Sequence, residues 1–178
     1  SKNINHLKVN LINKNKLYKI INSIRPNYII HLAGQSTIDM VEKKKKSYYN
    51  DNILATKNLI GAIKKYKIPN LIFSSSAAVY KKKNKQITEN SKLYSNNSYG
   101  KSKIRCERLI EKTVSKNTKF CILRFFNVSS SLTKKKIGEF HNPETHLIPI
   151  TINSLLQGKK IQIYGSNYDT KDGTCFRD

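Results

Sequence analysis

A chain of 178 residues is long enough for one domain with a packed core. Its 34 Lys and Arg against 11 Asp and Glu give a net charge of +23, which first raises a nucleic-acid partner. The pattern argues against one: Lys far outnumbers Arg, Asn and Ile are abundant as in an AT-rich coding sequence, and no aromatic residues interleave with the basic runs.

The runs Lys43–Lys46, Lys81–Lys83 and Lys134–Lys136 fall in predicted helix starts or loops, so the charge is expected on solvated surface, with no nucleic acid bound. Hydrophobic content is only 38%, yet Ile, Val and Leu recur in short periodic runs that fit a packed fold. No apolar stretch approaches the roughly 18 residues of a membrane span, so no membrane partner is expected. Cys106, Cys121 and Cys175 are widely spaced, with no CxxC and no Cys/His pairing at metal spacing. A cytoplasmic, metal-free protein is the expectation. The chain opens on Ser1 and stops at Asp178 after an apolar-rich segment, which suggests a piece of a longer sequence.

In chain order, Lys16–Ile24 has helical apolar spacing, and Pro26 stops it. Asn27–Ala33 reads as a buried strand ending in a turn at Gly34. Tyr48–Tyr66 predicts a long helix, with Ile53, Leu54, Leu59, Ile60 and Ile63 on one side. Pro69 resets the chain before a strand at Leu71–Ser74. Lys81–Ser98 is polar and loop-like, Tyr99–Lys112 is helical, and Phe120–Phe125 is a strand.

This alternation predicts βαβ units and an α/β doubly wound parallel sheet, covered on both faces. Ligands of such sheets sit at the carboxyl ends of the strands, which selects Ala33–Ser36, Ser74–Ser76 and Phe125–Asn127. The alternation stops after residue 128. A basic loop at Leu132–Pro143, a helix at His146–Gln157 and a short strand at Ile161–Tyr164 are expected beyond it. The division is therefore 1–128, a doubly wound α/β domain, and 129–178, the beginning of a smaller substrate lobe.

The sharpest local signal is Tyr99-Gly100-Lys101-Ser102-Lys103. On a helix, i and i+4 share a face, so the Tyr99 hydroxyl and Lys103 ammonium are neighbours. A free tyrosine titrates near ~10, and a nearby cation lowers that value, making the phenol a usable base. An ordinary surface Tyr/Lys pair is the bland alternative. Its weight comes from Ser74-Ser75-Ser76, which closes a buried strand about two dozen residues earlier. A serine there either serves a substrate hydroxyl or satisfies its own backbone.

The segments IIHLAGQS, NLIFSSSAAVY, NSYGKSK, LRFFN, HNPETHLIP and YDTKDGTCFRD span nearly all of the chain from Asn27 onward. In this order they resemble the extended short-chain dehydrogenase/reductases of the NAD-dependent epimerase/dehydratase family, and within it the UDP-hexose 4-epimerases. The resemblance implies a Rossmann-like domain without its first βαβ unit. It implies NAD as cofactor, a UDP-sugar substrate, reversible 4-epimerisation of a UDP-hexose and a homodimer paired through the helices at Tyr48–Tyr66 and Tyr99–Lys112.

It also assigns roles. Ser76, Tyr99 and Lys103 would be catalytic, with Lys103 on the nicotinamide ribose. Asn10, Leu11, Leu32, Ala33, Gly34, Ser36, Asn52, Ser74 and Phe126 would join Tyr99 and Lys103 around NAD. Asn127, His146, Leu147, Gln162, Ile163, Tyr164 and Arg177 would join Ser76 on the UDP-sugar, with the Arg177 guanidinium suited to a diphosphate. Each has a plainer reading: Asn52 as helix packing, Phe126 as core, His146 as a helix N-terminal polar residue, Ile163 and Tyr164 as strand alternation.

The chain departs from the pattern at Lys81, at Ser98, at Val128-Ser129-Ser130, and at Asn10 in place of an adenine-contacting aspartate. An Asn oxygen still accepts from an amine. The glycine-rich turn G-x-x-G-x-x-G, which brings backbone N–H groups to a pyrophosphate, is not in the chain. It is expected in a unit preceding Ser1, and these 178 residues alone are expected to bind NAD poorly and to be inactive.

Sister reactions are the main alternatives. A 4,6-dehydratase would need an acid and a base after the strand-end hydroxyl, where Ala77-Ala78 stands. A UDP-glucuronate epimerase is the stronger alternative, since substrate choice lies in the smaller lobe, whereas Ser76, Tyr99 and Lys103 argue against a non-catalytic NAD sensor.

Overall fold

The computed structural model describes residues 4–36, 45–81, 86–114, 117–128, 131–132, 137–138 and 144–175. The chain separates into two compact units, Ser1–Phe125 and Phe126–Asp178.

In the first unit, α1 (Lys14–Ile24) is started by Asn13, whose side chain accepts from the Lys16 N–H at 3.1 Å. It ends at Arg25 in the left-handed region (φ 46°), just before Pro26. β1 covers Tyr28–His31. The long helix expected from Tyr48 begins earlier and is composite: a turn at Lys45–Ser47, a π-helical stretch at Tyr48–Leu54, then α2 at Ala55–Tyr66. β2 (Asn70–Ser76) runs into a 3₁₀ turn at Ala77–Val79. α3 (Ser98–Thr113) is capped by Asn97, which accepts from the Gly100 N–H at 2.7 Å, and β3 covers Lys119–Phe125.

The three strands form one parallel sheet in the order β1-β2-β3, with Phe73 beside His31 and Ile122, and Ser75 beside Arg124. This is a Rossmann-like α/β architecture. β2 alternates strictly, with Leu71, Phe73 and Ser75 buried. Against that face pack Leu17 and Ile21 of α1, Leu59, Ile60 and Ile63 of α2, and Cys106 and Ile110 of α3. Burying each large aliphatic side chain contributes roughly 1.5–3 kcal/mol before ordering costs.

Among the described residues the helices cover one face of this sheet. Tyr28, Ile30, Leu123 and Phe125 on the opposite face are exposed, where the sequence suggested two covered faces. The cause is strand order: a sheet that advances in one direction through right-handed crossovers places all its helices on the same side.

In the second unit, α4 (Leu147–Leu156) has no buried residue. The strand expected at Ile161–Tyr164 is irregular, exposed chain. An apolar alternation makes a strand only where another strand takes up its N–H and C=O groups, and none pairs with it among the described residues.

Candidate active site

Three successive serines at the tip of β2 meet three residues on one face of α3. Tyr99, Lys103 and Glu107 are spaced by four, so they rise along one side of the helix. Lys103 Nζ donates to the Ser74 carbonyl at 2.8 Å. The Ser75 hydroxyl donates to Glu107 Oε1. The Ser76 hydroxyl accepts from the Ala78 N–H at 3.2 Å and lies near enough to the Tyr99 phenol to pull its pKa down. Ser76 thus caps its own turn and engages the phenol at once.

The helix approaches closely because residue 100 is glycine: a Cβ there would run into the Ala78 carbonyl and the Ser95 hydroxyl.

Electrostatics here are set by burial. Tyr99 is 8% and Lys103 6% exposed. Burial raises the Tyr99 pKa above its ordinary value, the Ser76 hydroxyl opposes this, and neighbouring Tyr48 adds to it. The lowering expected from Lys103 is therefore outweighed by desolvation. Burial lowers the Lys103 pKa, while Cys106 and Glu107 push it back up. Its ammonium lies 5.1 Å from the Phe73 ring centroid and 5.8 Å from that of Tyr99.

A second feature lies past the carboxyl end of β1. A cleft of about 330 Å³ is lined by Asn10, Leu11, Ala33, Gly34, Gln35 and Asp51, among others. Leu32 is 66% exposed, and Ser36 is exposed as well. Gly34 has φ +147°, and a Cβ on it would collide with the Asn52 side-chain oxygen. Asn52 is buried. Its oxygen accepts from the Gln35 N–H at 2.7 Å, and its amide donates to Ser102 at 2.8 Å and more weakly to the Gln35 carbonyl at 3.4 Å. It braces the turn after β1 against α3.

His31, which the sequence marked as a strand residue, is 4% exposed and bonded to Thr56 at 2.9 Å.

In the second unit, Phe126, Asn127, His146, Leu147, Gln162, Ile163 and Tyr164 are all exposed. His146 immediately precedes α4 and pairs with Glu144 at 2.9 Å. Arg177 lies outside the described residues.

Sequence reasoning missed Glu107 and Arg124, as well as Asp51 in the cleft, and took in Gln35 only as part of the Ala33–Ser36 strand end. Glu107 carried a legible signal, an acidic residue one turn beyond Lys103 on the inward face. Arg124 did not, because its partner depends on strand register.

A parallel sheet that gathers a hydroxyl, a phenol and an ammonium at one strand tip, next to a cleft at the neighbouring tip, defines a Rossmann-like protein with its candidate ligand site at the carboxyl ends of the strands. The chain belongs to the NAD dependent epimerase/dehydratase family, whose model matches residues 1–178.

It is 37% identical over 163 residues to the UDP-glucose 4-epimerase of Lactobacillus helveticus, covering 90% of this chain and 49% of that one. With the Mycoplasma genitalium UDP-glucose 4-epimerase it shares 35% over 175 residues, 94% of this chain and 51% of that one. Among solved structures, the Brucella ovis UDP-glucose 4-epimerase in complex with NAD superposes with a TM-score of 0.84 at 30% identity, covering 95% of this chain and 53% of that one. The Bifidobacterium longum UDP-glucose 4-epimerase in complex with NAD+ and UDP gives 0.84 at 28%, covering 97% and 53%. The chain spans about half the length of the curated relatives it matches. Among the described residues, no helix is long and apolar enough to cross a membrane.

Proposed function

We propose that the protein containing this chain catalyses reversible 4-epimerisation of a UDP-hexose, interconverting UDP-glucose and UDP-galactose, with NAD as a retained cofactor. The observation that carries the reading is the convergence of buried Tyr99 and Lys103 on the Ser74–Ser76 strand tip, with Lys103 bonded to the Ser74 carbonyl and the Ser76 hydroxyl acting on the phenol. Similarity to UDP-glucose 4-epimerases over 90% or more of the chain supports the substrate class.

The residues present fit NAD. The cleft past β1 is bordered by a positive-φ glycine where backbone can approach a ligand, and Lys103 supplies a cation one strand away. NAD, when bound, supplies the acceptor and then the donor of a hydride at the sugar C4. The chain's own residues manage the proton and the orientation. Tyr99 Oη takes the proton of the 4-hydroxyl as C4 is oxidised and returns it after the ring has turned over. Ser76 holds the reacting oxygen through its hydroxyl. Lys103 stabilises the phenolate and grips the nicotinamide ribose. Because burial, with Tyr48, moves the Tyr99 pKa further above its ordinary value, base strength depends on positive charge arriving beside it.

Asn10, Leu11, Leu32, Ala33, Gly34, Ser36, Asn52, Ser74 and Phe126 are assigned to the cofactor. Asn127, His146, Leu147, Gln162, Ile163, Tyr164 and Arg177 are assigned to the UDP-sugar. The same proposal places the protein in the cytoplasm, consistent with three free cysteines, and makes it a homodimer paired through α2 and α3.

The test is Tyr99→Phe in the protein as it occurs. Turnover of UDP-galactose is expected to vanish while UDP-sugar affinity stays within about threefold. A variant with near-normal rate would remove Tyr99 as the base.

A further inference from the structure

Glu107 is fully buried, at 0% exposure, in a chain where acids are scarce. Its carboxylate bonds to two strands. It accepts from Ser75 on β2, and from Arg124 on β3 through Nε at 3.2 Å and Nη2 at 2.9 Å. Arg124 extends the network through Nη1 to the Tyr80 hydroxyl and the Glu89 carbonyl, both at 3.0 Å. Ser75 and Arg124 are register partners, so the two strands present both donors to one carboxylate. One turn earlier on the same helix face stands Lys103, and one turn before that Tyr99.

Resting on the function proposed above, we propose that Glu107 is a positioning residue for the Ser76–Tyr99–Lys103 set: it ties α3 to the tips of β2 and β3 and places a fixed negative charge one turn behind the Lys103 ammonium. An apolar residue would pack α3 as well, but it would not set the rotation of the helix or its height along the strands. A forked ion pair to one strand and a hydroxyl bond to the next determine both. The charge also helps keep Lys103 protonated against burial.

The titratable and charged groups around this set are Cys106 and Glu107 on α3, Tyr48 in the π-helical stretch, His31 at the end of β1, and Arg124 and Tyr80 on the far side of Glu107. Of these, Glu107 is the group that bonds to both strands and acts on Lys103.

The experiment compares Glu107→Gln with the parent in the NAD-loaded protein. Gln keeps the shape and removes the charge. The expected result is a kcat lower by about tenfold or more near neutral pH, with KM for the UDP-hexose within about twofold. The rising limb of the pH–kcat profile moves toward alkaline pH, so the deficit shrinks as pH rises. A readout independent of turnover is the ultraviolet phenolate titration assigned to Tyr99 by difference against Tyr99→Phe. Its midpoint moves upward in the Glu107→Gln background.

Ser75→Ala removes only the hydroxyl tie and leaves the charge; it lowers kcat by a smaller factor at every pH and serves where Glu107→Gln does not fold, an unchanged kcat then overturning the inference. In Glu107→Gln, a loss of kcat equal at every pH, or an unmoved phenolate midpoint, overturns the inference and leaves Glu107 a purely structural anchor. If Tyr99→Phe itself keeps turnover, it is the proposed function that fails.

Discussion

Lys103 Nζ donates a 2.8 Å hydrogen bond to the Ser74 carbonyl, so its ammonium is anchored at the tip of β2 by backbone and not by a carboxylate. Burial lowers its pKa, with Cys106 and Glu107 opposing the shift, so the ammonium is held at a cost in desolvation. Lys103→Met is therefore expected to change stability by no more than about 1 kcal/mol. Turnover should fall by roughly two orders of magnitude or more. Thermal denaturation and steady-state kinetics on one preparation check both. A large drop in stability with proportionate activity would show that Lys103 is structural.

Arg124 and Glu107 should behave in the opposite way. The carboxylate is fully buried, the guanidinium 17% exposed, and the Glu107 hydrogen bonds raise the Arg124 pKa. Arg124→Met leaves a buried acid without its main partner, at a cost of about 3–5 kcal/mol. Replacing both residues, as Arg124→Met with Glu107→Leu, should recover much of that loss. Denaturant midpoints for the single and double variants measure the coupling.

Acid should weaken the fold through His31. Burial, with the Lys103 charge nearby, lowers its pKa from 6.5 to about 4. Between those values the unfolded chain binds the proton and the folded chain does not. Stability is therefore complete above about pH 6.5 and is lost as pH falls through about pH 4, by about 3 kcal/mol at most. His31→Gln can still bond Thr56 and should flatten this dependence. Denaturation curves at pH 7 and pH 4.5 for the two proteins give the comparison.

Gly34→Ala tests the cleft. The φ of +147° disfavours a side chain, and the added methyl would push the Asn52 amide off the Gln35 N–H. A loss of roughly 1–3 kcal/mol in stability is expected, together with weaker NAD binding. Fluorescence titration with NAD is the measurement. Unchanged affinity would remove this turn from the cofactor site.

Residues 1–178 expressed alone should bind NAD more weakly than ~1 mM, because no G-x-x-G-x-x-G turn within them can hold the pyrophosphate. Equilibrium dialysis decides this. Tight binding would mean that the β1 cleft suffices.

Much of this was legible in residue order. Apolar period and punctuation by Pro26, Gly34 and Pro69 placed α1, β1, the long helix, β2, α3 and β3 to within a few residues. The i, i+4 spacing of Tyr99 and Lys103 put both on one helix face before any packing was known. The π-helical stretch at Tyr48–Leu54 was not legible, because its pattern of apolar residues is still helical. Nor was the missing strand at Ile161–Tyr164, where alternation suggested pairing that the described fold does not supply.

Sequence by itself determined which chemical groups exist and which lie on a common helix or strand face, since those follow from local periodicity. Only the tertiary structure decided that Ser74, Ser75 and Ser76 each meet a different residue of α3, that Arg124 stands beside Ser75, and that burial raises the Tyr99 pKa despite nearby Lys103. Strand register and desolvation depend on residues far apart in the chain, and no local pattern encodes them.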